Sequence, residues 1–331
     1  MTDMDSGLTG FDPSELRGHA VNARMRGRLR DSLNYILDQA DGHLEIPRRE
    51  LSDFFARLER GPVSPLVFGA YCDLVLALHD DQPGEAERLL REIAQAPNAG
   101  DGPRIVDLSD PEQDAVAERY CRLMDTDPDM AITISPPGES TAQLRRLISQ
   151  AFALIDAGNP ALGGEIRALL REIVLAYAPE DAKGLKFDGV SSFMLWGGVV
   201  LNVTGYKTDI ETVQALAHES GHNLLFGLCA YGPLQENDDS ERYPSPLRID
   251  ERPMDGIVHA TYVTARMHQS IQRLIDAGVL DAVQQEEAKR ANAANVRYFA
   301  SGMATIARHA RLTPLGKTVM AGAQEYISAY S

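Results

Sequence analysis

Residues 208–228 have the sequence TDIETVQALAHESGHNLLFGL, and they decide both the expected fold and the expected chemistry. Thr208 followed by Glu211 is a capping-box pattern, which predicts that a helix begins here. His218 and His222 are four residues apart, so a helix places both imidazoles on one face, where they can share one divalent metal ion. Apolar side chains form a stripe along the same helix: Ile210, Val213, Leu216, Ala217, Leu224, Leu225 and Leu228.

The five residues HESGH match the HExxH pattern, in which Glu219 lies beside the two histidines. In a zinc metallopeptidase this glutamate takes a proton from the metal-bound water. The bare pattern also arises by chance, but here it lies on a capped, amphipathic helix. Gly221 costs the helix about 1 kcal/mol relative to alanine, which predicts close packing at that position. The following residues lack the HxxGxxH continuation, so a metzincin is excluded.

A third ligand has to come from elsewhere, and His259 in the segment RPMDGIVHATYVTARM is the strongest candidate. Its segment has helical periodicity, and we expect it to pack beside the HESGH helix. A buried helix histidine without a metal is the alternative interpretation. The carboxylates that might replace it are Glu236, Glu241, Glu251 and Asp255, and a glutamate among them would make a gluzincin-like site. The remaining histidines are interpreted as core or surface residues: His19, His43, His79, His268 and His309.

Three arginines, Arg242, Arg248 and Arg252, precede His259 in a single loop. Arginine binds a carboxylate through two parallel hydrogen bonds, so this loop suits a dicarboxylate cosubstrate such as 2-oxoglutarate. A plain peptidase has no such need. Surface arginines paired with neighbouring carboxylates are the alternative. Imidazole suits zinc and iron alike, so the ligand types leave the metal open.

The rest of the chain predicts a mainly α protein with a small β-sheet, of the α+β class, with a zincin-like HExxH helix packed against a short sheet. Helices are expected near 14–39, 48–60, 65–79, 83–94, 111–124, 141–158, 162–177 and across most of 254–329. Short strands are expected near 130–135 and within the β-rich residues 190–204, where Gly197 and Gly198 indicate a bulge or a close backbone approach. We divide the chain into a helical N-terminal region, 1–150, for support or peptide recognition, and a metal-binding catalytic region, 151–331.

The composition is that of a globular protein, with 44% hydrophobic and 24% charged residues among 331. A formal net charge of −16 argues against nucleic acid or an anionic membrane as the main partner. No apolar run is long enough to span a membrane, and the first residues lack the apolar core of a signal peptide. Three separate cysteines, Cys72, Cys121 and Cys229, fit a reducing compartment, so a cytoplasmic location is expected.

Three stretches of the chain carry a resemblance to a known family. They are SSFMLWGGVVLNV (191–203), the HESGH helix, and YPSPLRIDERPMDGIVHATYVTARM (243–267). In these stretches the chain resembles the HExxH-type 2-oxoglutarate-dependent peptide β-hydroxylases, which modify ribosomally synthesised precursor peptides. The spacing of SPLR, RP and HA is the specific part of the match. The resemblance covers roughly residues 185–270, with a weaker extension near 62–78.

The resemblance implies a nonhaem Fe(II) site at His218, His222 and His259 that uses 2-oxoglutarate and O₂. It further implies that Arg252 or Arg248 binds the distal carboxylate of 2-oxoglutarate and that a side-chain β-carbon of a precursor peptide is hydroxylated. Glu219 would then be a neighbour of the metal or an extra ligand. Two rival functions stay open: a gluzincin-like zinc metallopeptidase with Glu219 as general base, and a non-catalytic binding module on a decayed site.

Overall fold

The structure, a computed structural model, describes residues 6–40, 42–109, 114–124, 134–137, 141–178, 187–245 and 251–330. Within these residues the chain forms twelve α-helices and four β-strands. The helices are α1 (Ser6–Thr9), α2 (Glu15–Gln39), α3 (Arg48–Arg60), α4 (Pro65–His79), α5 (Pro83–Gln95), α6 (Asp114–Met124), α7 (Ala142–Gly158), α8 (Pro160–Leu169), α9 (Asp209–Leu228), α10 (Met254–Ala277), α11 (Ala282–His309) and α12 (Pro314–Ser328). The strands are β1 (Arg104–Asp107), β2 (Glu172–Ala176), β3 (Gly189–Val190) and β4 (Gly198–Asn202).

The predicted fold class is confirmed at the coarse level, because the protein is mainly helical with one small mixed sheet. The sheet has the strand order β1-β2-β4-β3. Strands β1, β2 and β4 run parallel, while β3 pairs antiparallel with β4. Every residue of β2 and β4 is buried, as expected for parallel strands covered on both faces.

The chain contains two compact units, each assembled from separated stretches. The first unit comprises residues 1–20, 142–166 and 206–331, and it includes α7 and α9 to α12. The second comprises residues 21–141 and 167–205, and it includes α3 to α6 and the whole sheet. The sequence predicted two consecutive regions, 1–150 and 151–331, and their separate roles stay a prediction.

The strand β2 lies where the sequence predicted a helix over 162–177, and that part of the prediction was wrong. Helix α8 ends at Leu169, and the buried strand Glu172–Ala176 follows. A run of four to eight apolar residues suits a buried strand as well as a helix, so periodicity alone could not separate the two. The strand expected over 130–135 falls mostly outside the described residues. Within them, Ser135 forms an isolated antiparallel bridge with Tyr177.

Gly197 and Gly198 occupy the tight entry to β4. Gly197 has a φ of +89°, a conformation that side chains rarely adopt. A Cβ on Gly198 would lie 2.8 Å from the Tyr120 hydroxyl oxygen. The close backbone approach predicted for this pair is therefore confirmed, and it leaves room for Tyr120 beside the sheet.

The Tyr120 hydroxyl belongs to a buried polar cluster around Glu172, the first residue of β2. Tyr120 donates a hydrogen bond of 2.6 Å to Glu172 Oε2. The Glu172 Oε1 atom accepts hydrogen bonds from Ser64 Oγ at 2.7 Å and from Arg104 Nη2 at 2.9 Å. These bonds tie α4, α6 and β1 to the start of β2, because both oxygens of a carboxylate that is 1% exposed are satisfied.

The first unit is organised around the packed pair α9 and α10. Gly221 of α9 faces Val263 of α10 so closely that a Cβ there would lie 3.0 Å from Val263 Cγ1. The glycine predicted to mark close packing does so. Among the described residues, no helix combines the length and the apolar character needed to cross a membrane.

Candidate metal centre

Helix α9 holds His218 and His222 in the geometry that their spacing predicted. The helix begins with a complete capping box: the Thr208 hydroxyl accepts from the Glu211 backbone N–H, and the Glu211 carboxylate accepts from the Thr208 N–H. The two imidazole rings lie 4.8 Å apart between centroids. Their Nε2 atoms face each other at 3.1 Å. Both side chains are half-buried.

His259 of α10 lies on the other side of His222. Its Nδ1 atom is 3.2 Å from His222 Nδ1, and the two rings stack with centroids 5.4 Å apart. His259 is only 4% exposed. Its other nitrogen, Nε2, is buried and has no hydrogen-bond partner among the described residues. The carboxylate of Asp255, one turn earlier, comes within 3.8 Å of that atom.

The three rings therefore form a row, here called the histidine row, in the order His218, His222, His259. At its outer end, His218 Nδ1 lies 3.3 Å from the sulfur of Met267. At its inner end stands Asp255. Helix α9 therefore supplies two rings of the row. Helix α10 supplies the third ring and the two residues at its ends, Met267 and Asp255.

Burial keeps the rings of His218 and His222 neutral at pH 7. It lowers the pKa of His218 to about 4. The pKa of His222 falls well below its ordinary value, first because of burial and then because of repulsion from His218 and His259. Metal ions bind the neutral imidazole, so His218 and His222 are in the form that a metal requires.

The donor set suits a divalent ion, although the arrangement is not a finished three-ligand site. Two nitrogens bound to one ion at about 2.1 Å each lie roughly 3 Å apart, as the Nε2 atoms of His218 and His222 do. The third predicted ligand, His259, instead directs its Nδ1 at His222. Across the part of the chain that the structure describes, no group of three or more His, Cys, Asp or Glu residues stands ready to hold a metal.

Glu219 is buried beside the row, with 3% of its surface exposed. Its Oε1 atom is 3.9 Å from His218 Nε2, the nitrogen that faces His222. The carboxylate thus lies on the side of the Nε2 pair. That position suits a neighbour of the metal, an additional ligand or a general base.

Of the other carboxylates predicted as possible ligands, only Asp255 reaches the row through a described contact. Glu241 accepts hydrogen bonds from Tyr243 and Asn237 instead. Glu236 and Glu251 are exposed.

The arginines predicted to bind 2-oxoglutarate are described only in part. Arg252 is half-buried just before α10, and its backbone exchanges two hydrogen bonds of 2.8 Å with Tyr243. Arg242 is exposed, and its guanidinium donates to the Asp239 carbonyl. Arg248 lies outside the described residues. A role for Arg252 or Arg248 stays a prediction.

Two neighbours of the row were not predicted from the sequence. Phe226 stacks on His222 with an interplanar angle of 24° and contacts His259 at 5.1 Å between ring centroids. Its position four residues after His222 is a signal that the sequence already carried. Met267 carried no such signal, because its contact with His218 depends on how α10 packs against α9.

The histidines outside the row behave as the sequence predicted. His268 is buried, with Nδ1 2.9 Å from the Tyr326 hydroxyl. The others are exposed: His19, His43, His79 and His309.

Comparison with known proteins adds no name to this geometry: no family model matches the chain, and no curated protein does either.

Proposed function

We propose that this protein is a nonhaem Fe(II)- and 2-oxoglutarate-dependent oxygenase that hydroxylates a side-chain β-carbon in a ribosomally made precursor peptide. The observation that carries the proposal is the histidine row, in which imidazoles from two helices meet and the Nε2 atoms of His218 and His222 face each other at 3.1 Å. The separation of the two Nε2 atoms suits one shared metal ion, and the resemblance of residues 185–270 favours iron.

His218 and His222 would hold the metal through Nε2, and His259 is the third ligand that the resemblance implies. Bound there with 2-oxoglutarate, iron supplies the O₂ chemistry in which the peptide gains a hydroxyl while 2-oxoglutarate becomes succinate and CO₂. An arginine before α10, Arg252 or Arg248, would orient the cosubstrate through its distal carboxylate. Phe226, packed on His222 and His259, would keep water from one side of the row.

The test is succinate formation by anaerobically purified protein given Fe(II), 2-oxoglutarate, O₂ and a peptide library. We expect succinate together with peptides that gain one oxygen atom, and neither product when iron is omitted. The matched control is His309→Ala, an exposed histidine, which should keep the activity that His222→Ala loses. Iron-loaded protein that turns over no 2-oxoglutarate with any peptide would contradict the proposal.

A zinc metallopeptidase is the second candidate, and the position of Glu219 favours it. Its carboxylate lies 3.9 Å from His218 Nε2, near the proposed metal ligands, so Glu219 could serve as the general base of a zinc-dependent hydrolysis. For a peptidase, zinc-loaded protein should cleave peptides, and Glu219→Gln should abolish cleavage while zinc stays bound. For the oxygenase, zinc-loaded protein should cleave nothing and should block the iron-dependent reaction.

Other parts of the prediction belong to the same proposal. They are the zincin-like relation of the HESGH helix to a short sheet, recognition of the peptide by the helical N-terminal region, a cytoplasmic location, and the lack of a nucleic-acid or membrane partner. The net charge of −16 supports the last of these. If the N-terminal region, 1–150, recognises the peptide, surface substitutions there should raise KM for the peptide without changing metal content; if it only supports the fold, KM should not change.

A further inference from the structure

A groove in the second unit lies where the C-terminal ends of α2 and α4 meet the start of α5. We call it the α2–α4 groove, and its volume is about 550 Å³. Ten residues line it: Tyr35, Ile36, Gln39, Ala40, His43, Leu44, Leu78, Asp81, Gln82 and Pro83. All of them belong to the second unit, whereas the histidine row belongs to the first.

Apolar side chains along this groove are open to solvent. Tyr35 of α2 is 67% exposed. The hydroxyl groups of Tyr71 on α4 and Ser32 on α2 share a hydrogen bond of 2.5 Å, which shows the side of α4 that faces α2. Val75 and Leu78 follow Tyr71 by four and seven residues, so they lie on that same side of α4, and Val75 is 41% exposed. The apolar surface therefore extends from the groove along α4.

The size and shape of this surface indicate a helical occupant. Leu76, next to Val75, is 53% exposed, so two large apolar side chains of α4 and one of α2 face water together. Contiguous apolar surface of this kind marks interaction sites in proteins. A small molecule in the groove would leave Val75 in water, whereas an amphipathic helix laid along α4 would cover it.

The walls of the groove are acidic. Residues 31–47 and 71–87 contain nine Asp and Glu residues, four in the first stretch and five in the second, and neither stretch contains a Lys or Arg. Five of these carboxylates pair with arginines outside the two stretches: Asp31, Glu45, Asp73, Glu85 and Glu87. Among the described residues, no Lys or Arg pairs with Asp38, Asp80 or Asp81, and all three are exposed.

Two helix ends add to this negative charge. The C-terminus of a helix carries about half a negative charge, and both α2 and α4 end at the groove. The last turn of α2 contains no basic residue. The last turn of α4 contains only His79, whose Nδ1 is 3.0 Å from Asp80 Oδ1. Carboxylates at a helix C-terminus are unfavourable, so a cationic partner would relieve a repulsion that the free protein retains.

We propose that the α2–α4 groove is a docking site for a cationic amphipathic helix of a partner polypeptide. The apolar face of that helix covers Tyr35, Val75 and Leu78, and its Lys and Arg side chains lie over the free carboxylates at the rim. A second copy of this chain, with a net charge of −16, lacks the required complementarity. The docking site involves no metal, so it goes beyond the proposed hydroxylation and does not depend on it.

The first experiment titrates a synthetic helical peptide into the full chain and follows fluorescence anisotropy. The probe has about 18 residues, or five helical turns, with Leu at positions i, i+3, i+4 and i+7 and Lys elsewhere. One control peptide has the same composition in scrambled order, and another has Glu in place of Lys. We expect saturable binding that is at least about tenfold tighter than for either control. No saturable binding, or equal binding of the scrambled peptide, would overturn the proposal.

The second experiment locates the bound peptide with exposed-site variants. Tyr35→Lys and Val75→Lys place a charge in the apolar strip and should each weaken binding at least about tenfold. The matched controls on α11 are Tyr298→Lys and Val283→Lys, at side chains that are 44% and 77% exposed. They should keep wild-type affinity, and thermal melting should show that all four variants fold. Equal losses in all four would mean that the peptide responds to net charge alone.

The third experiment tests the acidic rim at constant net charge. The double change Asp80→Asn, Asp81→Asn should weaken binding about tenfold at low salt, with a smaller loss at high salt where charges are screened. The control is Asp238→Asn, Asp239→Asn, at a second exposed pair of neighbouring aspartates. The two double variants carry the same net charge. The same affinity for both would refute a role of the rim.

The oligomeric state separates a partner helix from a second copy of the chain. We expect the wild-type protein to sediment as a monomer and the peptide to bind that monomer. A wild-type dimer that Val75→Lys converts to a monomer would make the groove an interface between copies and would overturn the proposal. A protein that forms no succinate, by contrast, would refute the hydroxylase and leave peptide docking at the groove standing.

Discussion

Helix α10 contributes to two buried polar groups in the same unit, and they differ in how well donors and acceptors are matched. Arg266 joins Arg17 in a cluster around Glu165, and all three side chains are 2% exposed or less. The Glu165 carboxylate accepts from both guanidinium groups and, at 2.9 Å, from the Ser14 backbone N–H. Met267, the next residue along α10, instead ends the histidine row.

In the Glu165 cluster opposite charges meet, and only Arg266 Nε lacks a partner among the described residues. In the histidine row nitrogens face nitrogens, and His259 Nε2 has no hydrogen-bond partner there. A buried carboxylate that is fully hydrogen-bonded serves stability, while a row of imidazoles also offers nitrogen atoms to a cation. The contrast suggests a role in stability for the first group, and we propose ligand binding for the second.

The largest effect is expected from breaking the matched cluster with Glu165→Gln. Losing the carboxylate charge leaves two buried guanidinium groups uncompensated, which should lower the free energy of unfolding by about 3–5 kcal/mol. Urea unfolding followed by circular dichroism measures it. Glu286→Gln, at an exposed carboxylate, is the control and should change little. A Glu165→Gln protein as stable as the control would mean that the cluster carries no stability.

Breaking the histidine row should lower metal affinity strongly and the free energy of unfolding only a little. His222→Ala removes the central ring, so Zn(II) affinity should fall by at least about 100-fold, more than for an outer partner. Metal-free stability should fall by less than in Glu165→Gln, because His222 is half-buried and its removal leaves no buried charge uncompensated. Competitive Zn(II) titration and thermal melting test both halves. A large drop in metal-free stability would show that the row is structural.

A smaller effect is expected in the second unit from Tyr120→Phe. The change removes the hydroxyl that donates to Glu172 Oε2 at 2.6 Å and leaves that buried oxygen without its donor. The free energy of unfolding should fall by about 1–3 kcal/mol. Zn(II) affinity should be unaffected, with Tyr298→Phe, at an exposed tyrosine, as the control. A change in Zn(II) affinity would break the division between structural and ligand-binding clusters.

The smallest effect concerns pH and His268, a buried histidine outside the row. Burial lowers its pKa from 6.5 to about 4, with Asp276 opposing the shift. The folded state therefore resists protonation that the unfolded chain accepts, so stability is lost as pH falls from about 6.5 towards 4. His268→Phe should flatten this part of the stability–pH curve relative to wild type. Parallel curves for the two proteins would remove His268 as a source of acid sensitivity.

Local sequence signals predicted the parts of the site that depend on a single helix. The Thr208–Glu211 cap, the shared face of His218 and His222, and the close packing at Gly221 all follow from spacing and residue type. His259 was predicted as a third ligand from a second helical pattern, and in the structure it lies beside His222.

What the sequence could not predict depends on contacts between elements. Which nitrogen of His259 faces His222 is decided by the packing of α10 on α9, as is the contact of Met267 with His218. The strand β2 was missed for a related reason, since pairing with β1 and β4 selects a strand from an apolar run that also suits a helix.

Because Gly221 has no side chain, α9 and α10 can pack closely at this position. One methyl group added there would meet Val263 at 3.0 Å and force the helices apart. Because His222 belongs to α9 and His259 to α10, the distance between the two helices sets the distance between the two imidazole rings. We therefore expect a side chain at residue 221 to shift His222 relative to His259 and to change the distance between their rings.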